Sequence, residues 1–185
     1  MTRRQKIVAA VAAAFVAVTA TGAVLAVGRD STEPAIIGES FGALEPAPAL
    51  SGTDPITGNE VSLADFAGKP VVVNIWADWC PGCRQEAPAL RQLAEEHPEA
   101  AVLGIDFQDT VAGARRFYEE FDLSHPSIFD PDGRLATKLG LIGMPTTIFL
   151  DDRHRIVTRI VGETDLAGFE LGLERAKQAS AARTP

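Results

Sequence analysis

Apolar runs and helical apolar stripes alternate along this chain, and the points where one gives way to the other mark its elements. Val71-Val72-Val73-Asn74-Ile75-Trp76 is a nearly unbroken apolar run of strand length. From Cys80 to about His97 the spacing becomes helical, with Ala87, Leu90, Leu93 and Ala94 along one face. Pro81 suits the first turn of that helix, where no N–H partner is required, and Pro88 in its interior predicts a kink. A second strand is expected over Ala101–Phe107. The helix after it shows Val111, Ala114, Phe117, Tyr118 and Phe121 on one face, with Asp109 as its expected cap. Ser127-Ile128-Phe129 reads as a short strand, Pro131-Asp132-Gly133 as a turn, and Leu135–Leu139 as a short helix ended by Gly140. Thr146–Leu150 and Arg155–Val161 form a hairpin around Asp151-Asp152-Arg153-His154. The last helix runs from Asp165 to Ala179, with Leu166, Phe169, Leu173 and Ala176 inward. Strands and helices in this order predict a mixed α/β sandwich.

The front of the chain follows a different pattern. Arg3, Arg4 and Lys6 precede the uncharged stretch Ile7–Val27, which is 21 residues long. Roughly 20 apolar residues cross a bilayer core as a helix. Residues 1–27 are therefore expected to be a signal-anchor helix, its basic end in the cytoplasm and the rest of the chain outside. Val24-Leu25-Ala26 offers an alternative, since a small-residue site of that kind also fits signal cleavage and release. Residues 28–44 read as a linker, and a domain is expected from 45 to 180. At its start, Asp54-Pro55-Ile56-Thr57-Gly58-Asn59-Glu60-Val61 has the chemistry of a hairpin tip, and Asp65 belongs to a short helical turn.

Charge narrows the partners. The chain has 25 acidic against 17 basic side chains, a formal net charge of −8, and every acidic residue lies beyond residue 29. A domain so acidic is not expected to bind nucleic acid.

The two cysteines change the picture most. They are the only ones in the chain, they stand three residues apart in Trp79-Cys80-Pro81-Gly82-Cys83, and they fall where a strand gives way to a helix. A helix N-terminus stabilises a thiolate, and a second thiol at this spacing can close a disulfide with it. A purely structural role is a poor reason for so short a loop, because closing it removes little chain entropy. A zinc site usually takes four ligands, and only the scattered His97, His125 and His154 remain to complete one; these histidines are expected at the surface. No metal and no cofactor is expected, although a copper or zinc carrier using the two thiolates stays as a non-enzymatic alternative.

The segment Asn74-Ile75-Trp76-Ala77-Asp78-Trp79-Cys80-Pro81-Gly82-Cys83-Arg84-Gln85-Glu86-Ala87-Pro88 resembles the active-site segment of the thioredoxin superfamily, and most closely that of membrane-anchored TlpA/ResA-like thiol–disulfide oxidoreductases. Gly68-Lys69-Pro70 and Gly143-Met144-Pro145-Thr146-Thr147 extend the similarity, which covers roughly residues 45–178. The resemblance implies a thioredoxin-like three-layer sandwich, a mixed central sheet flanked by helices, with an N-terminal β-hairpin and a central insertion. It implies that Cys80 is the exposed nucleophile, Cys83 the buried resolving thiol and Pro145 a cis-proline whose loop faces them, leaving the Met144 backbone to pair with substrate. Glu86, one helical turn beyond Cys83, is the expected proton acceptor. Thioredoxin itself uses an Asp ahead of the motif, where this chain has Asn74. Trp79, Pro81 and Gly82 are expected to contact substrate, Trp76 to pack in the core, and Asp78 and Arg84 to lie at the surface with opposite effects on the thiolate.

The implied activity is reduction of disulfides in exported proteins by a monomer fed by a transmembrane thiol electron carrier, with the haem-binding cysteines of apocytochromes c as one substrate. The reverse activity, disulfide formation or isomerisation, is the alternative, because Pro81-Gly82 inverts thioredoxin's Gly-Pro order. A peroxiredoxin-type peroxidase ranks below both, since its usual Thr three residues before the reactive cysteine is Ala77 here.

Overall fold

In the computed structural model of the chain, residues 35–37 and 44–182 are described; the expected anchor at 1–27 lies outside them. Strands β1 (Ala35–Ile37), β4 (Val71–Trp76), β5 (Ala101–Phe107), β6 (Ser127–Asp130), β7 (Thr146–Leu150) and β8 (Ile156–Val161) make one sheet in the order β1-β8-β7-β4-β5-β6. Strands β4, β5 and β6 are parallel, while β7, β8 and β1 are antiparallel additions. A separate hairpin pairs β2 (Ser51–Thr53) with β3 (Glu60–Ser62), as the turn chemistry of residues 54–61 predicts. After it, a single 3-10 turn at Leu63–Phe66 is closed by a capping box between Ser62 and Asp65.

The central strand β4 is buried along its whole length, as its unbroken apolar run requires. Its alternate side chains feed two cores. Val71, Val73 and Ile75 pack with Leu50, Leu63, Ala136 and Leu139, so the hairpin and the short helix α3 (Arg134–Lys138) cover that face. On the other face, Val72 packs with Leu90 and Leu93 of α1 (Pro81–Glu96) and with Phe169 and Leu173 of α4 (Leu166–Ala181). Trp76, at the end of β4, stacks on Phe117 of α2 (Val111–Phe121), and a third cluster forms around it. Helices thus flank a mixed sheet. Helix α2 and strand β6 lie between β5 and α3, and β6 pairs parallel with β5 at the edge of the sheet.

Two expectations are corrected here. Part of the segment expected as linker is strand: Ala35-Ile36-Ile37 is a short apolar run with two β-branched residues, and it pairs with Val161, Ile160 and Arg159 at the sheet edge. Helix α2 is capped by Thr110, whose hydroxyl accepts the Gly113 N–H at 3.0 Å, and not by Asp109. Asp109 is drawn one step outward, because its carboxylate accepts the Asp78 N–H at 2.7 Å. Among the described residues no helix is long and apolar enough to cross a membrane.

Candidate active site

Strand β4 delivers Cys80 to the start of α1, where it is the N-cap. Its Sγ accepts the Cys83 N–H at 3.2 Å, and Pro81 follows as the first helical residue. Cys80 and Cys83 are joined in a disulfide. Their expected difference in exposure is absent: Cys80 is 3% exposed and Cys83 1%. Both belong to the cluster built on Trp76, Ala77 and Ala87, with Met144 packed against it.

Glu86 is 2% exposed, so it is no surface carboxylate. Its Oε1 accepts from Asn74 Nδ2 at 2.8 Å and its Oε2 from the Thr164 N–H at 3.2 Å. Asn74 also donates to Thr147 Oγ1 at 3.0 Å, which fixes the amide's orientation. Burial pushes the Glu86 carboxyl up to about 8, against the opposing pull of the Asn74 and Thr164 hydrogen bonds. Cys83, Glu86 and Asn74 line one narrow crevice, with His125 in its wall. His125 corrects the expectation of surface histidines. It is buried against Tyr118, and burial lowers it to about 4, so it is neutral at pH 7.

Around Cys80 the charges are mutually engaged. Asp78 receives Arg84 at 2.9 Å and Arg116 at 2.7 Å. Arg84 also pairs with Glu120 and lies over the rings of Phe117 and Phe121. Its guanidinium is therefore shared between two carboxylates and two rings. Trp79 is 55% exposed beside Cys80, held by its Nε1–H on the Gln108 carbonyl at 3.2 Å.

The Met144–Pro145 peptide bond is cis, and Pro145 stands against the first turn of α1: a Cβ added to Gly82 would lie 2.9 Å from Pro145 Cδ. Among the described residues, Met144 makes no main-chain hydrogen bond, whereas the neighbouring Pro145 carbonyl accepts from Gly162 N–H at 2.9 Å. A disulfide at a helix N-terminus, a buried carboxyl one turn inward and an unpaired peptide edge beside them are the parts needed for thiol–disulfide exchange with a polypeptide.

A family model described as AhpC/TSA matches residues 43–159. The chain belongs to the AhpC/TSA family. Within this thioredoxin-like family it is 39% identical over 134 residues to a thiol:disulfide interchange protein DsbE of Pseudomonas aeruginosa, covering 71% of this chain and 69% of that protein. It is 31% identical to a thiol-disulfide oxidoreductase ResA of Bacillus thuringiensis, covering 63% of this chain and 68% of that protein. A solved structure of a secreted thiol-disulfide isomerase from Corynebacterium glutamicum superposes with a TM-score of 0.64 at 31% identity, covering 70% of this chain and 84% of that one. The protein is a thiol–disulfide oxidoreductase of the DsbE/ResA type, as the motif resemblance implied. Ala77, three residues before Cys80, is fully buried and offers no hydroxyl to that cysteine.

The structure brings together Cys80, Cys83, Pro81, Gly82, Glu86, Met144 and Pro145, with Trp79 at the rim. Two acids near them had no sequence assignment. Asp106 in β5 is fully buried with neither carboxylate oxygen hydrogen-bonded, and Glu163 lies beside Gly82. The signal for Asp106 was an acid inside an apolar strand run; Glu163, in the loop after β8, carried none. Among the described residues, no group of three or more His, Cys, Asp or Glu is placed to hold a metal ion.

Proposed function

We propose that this AhpC/TSA-family protein is an extracytoplasmic protein-disulfide reductase, anchored by residues 1–27 through the span 7–27, with a catalytic domain that takes in the edge strand at 35–37 and runs on to residue 180. The observation that carries this reading is the unpaired peptide edge of Met144 standing beside the Cys80–Cys83 disulfide. An extended substrate segment pairs with that edge, with Trp79, Pro81 and Gly82 against its flanks.

In the reduced protein, the Cys80 thiolate attacks a substrate disulfide, forming a mixed disulfide and expelling one substrate thiolate. Cys83 then gives its proton to the Glu86 carboxylate and attacks the Cys80 sulfur. The Cys80–Cys83 bond forms, the mixed disulfide breaks, and the second substrate sulfur leaves as a thiolate. The substrate gains two electrons and the protein loses two. A transmembrane thiol carrier restores the dithiol, and the monomer serves exported proteins, the haem-binding cysteines of apocytochromes c among them. Engagement of Arg84 by Asp78 and Glu120 supports the reductive direction, because no cation is left committed to the Cys80 thiolate, and a less stabilised thiolate makes a weaker oxidant.

Replacing Cys83 with Ser removes the resolving thiol. Cys83→Ser is expected to accumulate dithiothreitol-sensitive adducts with exported proteins, all lost when Cys80 is also replaced. Absence of Cys80-linked adducts contradicts the proposal.

A further inference from the structure

The crevice behind the disulfide has a rear wall, and His125 stands in it. Strand β6 begins at Ser127, opposite Gly104 of β5, and the Gly104 N–H holds the preceding Pro126 carbonyl at 2.9 Å. His125 is thereby set at the foot of β6, its ring tilted against Tyr118 of α2 with centroids 5.4 Å apart. The ring lines two spaces. On one side is the crevice of Cys83, Glu86 and Asn74, walled also by Trp76, Leu90 and Phe117 and too narrow to hold a water molecule. On the other is a recess of about 260 Å³ that opens to the surface, bounded by Phe66, Lys69, Ala94, Ser124 and Pro126. His125 is 8% exposed, and its enclosed Nδ1 takes no hydrogen bond among the described residues. The ring therefore acts by the space it fills. An apolar body with a polar tip suits a residue set between a packed cluster and an open recess. The groups about Glu86 are otherwise few. Asn74 on β4 and the Thr164 N–H after β8 donate to it, Cys83 lies one turn back on α1, and Glu163 is the nearby charge. Burial outweighs these in holding the carboxyl up at about 8. Lys69 brings a positive charge to the recess.

We propose that His125 is a positioning residue: its ring closes the crevice against the recess, and the dryness it maintains matches Glu86 to the Cys83 thiol. The inference rests on the exchange reading above for the role of Glu86, while the closure itself does not depend on the direction of electron flow. Removing the ring joins recess and crevice, so that water, and with it the field of Lys69, reaches the carboxyl. Both favour its ionised form. A ring of the same volume without nitrogen leaves the carboxyl as it was.

The test titrates Glu86 in the oxidised protein by infrared difference spectroscopy, its signal being the carboxyl band that Glu86→Gln removes. His125→Ala is expected to lower the midpoint by about one unit or more, and His125→Phe to leave it within about 0.3 of a unit. A fall of about one unit from about 8 raises the ionised fraction at pH 7 from about 0.1 to about 0.5. The pH at which the single-turnover reductive rate rises is expected to fall with it. Should His125→Ala not fold, His125→Val also removes the ring and is read in the same way. An unmoved midpoint in the truncated variant overturns the proposal. So does an equal fall in His125→Phe, which would assign the effect to an imidazole nitrogen. A lowered midpoint without the matching change in the rate profile supports the closure and contradicts Glu86 as the proton acceptor of the exchange reading.

Discussion

Glu86 lies one turn inside α1 from Cys83, and burial holds its carboxyl up at about 8, within reach of an ordinary thiol at about 8.5. Groups so matched exchange a proton at little cost in either direction, which suits an acid–base partner for Cys83. The amide of Asn74 is central to this. It donates to Glu86 and leaves the carboxyl as the only titrating group of the pair, whereas a second acid at position 74 would divide the proton with it. The reductive rate is expected to rise as pH passes through about 8, where Glu86 becomes the carboxylate that accepts the proton. In Glu86→Gln that rise shifts to the ionisation of the thiol itself, and the rate at pH 7 falls by roughly 10²-fold in single-turnover stopped-flow measurements. An unchanged pH profile contradicts the role. The cysteine pair and the one-turn offset of Glu86 were legible in the spacing, and Pro145 was a candidate only through the motif resemblance. Glu163 was not, since its place opposite Gly82 depends on how β8 runs beside the loop before β7.

Strand ends carry the other unplanned features. Asp106 sits near the end of β5, opposite Trp76 on one side and Phe129 on the other, with no hydrogen bond to either oxygen. Burial, followed by the nearby charges of Asp109, Asp78 and Asp130, raises it from 3.8 to about 8. The fold therefore accommodates its neutral form. The stability this provides is complete below about pH 4 and is lost as pH rises towards about 8, because the unfolded chain gives up the proton first. Asp106→Asn is expected to flatten the decline of urea-unfolding stability between pH 4 and 8, leaving the slope due to Glu86, whose folded state is raised in the same direction. Equal slopes in the two proteins would rule out a buried neutral Asp106. The helices and strands themselves followed from apolar periodicity almost to the residue: the helix expected from Cys80 to His97 is α1 with those two residues as its caps. Caps and edges were harder to read. Asp109 and Thr110 are both competent caps, and only the contact with the Asp78 N–H decides between them. The pairing of β1 is likewise a matter of which edge of the sheet is open to three apolar residues.

At the scale of the whole molecule, the sheet order places the site. Strand β4 is central, β7 lies antiparallel to it, and the start of β7 therefore returns to the end of β4, bringing Met144 and Pro145 to Cys80 and Cys83. Linear element order does not contain that juxtaposition, which the motif resemblance implied only as a loop at Pro145 facing the cysteines. The same topology brings the end of β8, and with it Glu163, to the same rim, while α2 adds the Arg116 and Glu120 that engage Asp78 and Arg84. The surroundings of the thiolate are thus assembled from four separate parts of the chain. Their sum is a helix N-terminus and one N–H donor from Cys83, set against carboxylates and without a committed cation. This balance predicts a reducing protein. The midpoint potential of the Cys80–Cys83 couple, titrated against defined thiol–disulfide buffers at pH 7, tests it directly: a value near about −270 mV agrees with a reductase, and a value near about −120 mV marks an oxidant and contradicts the account.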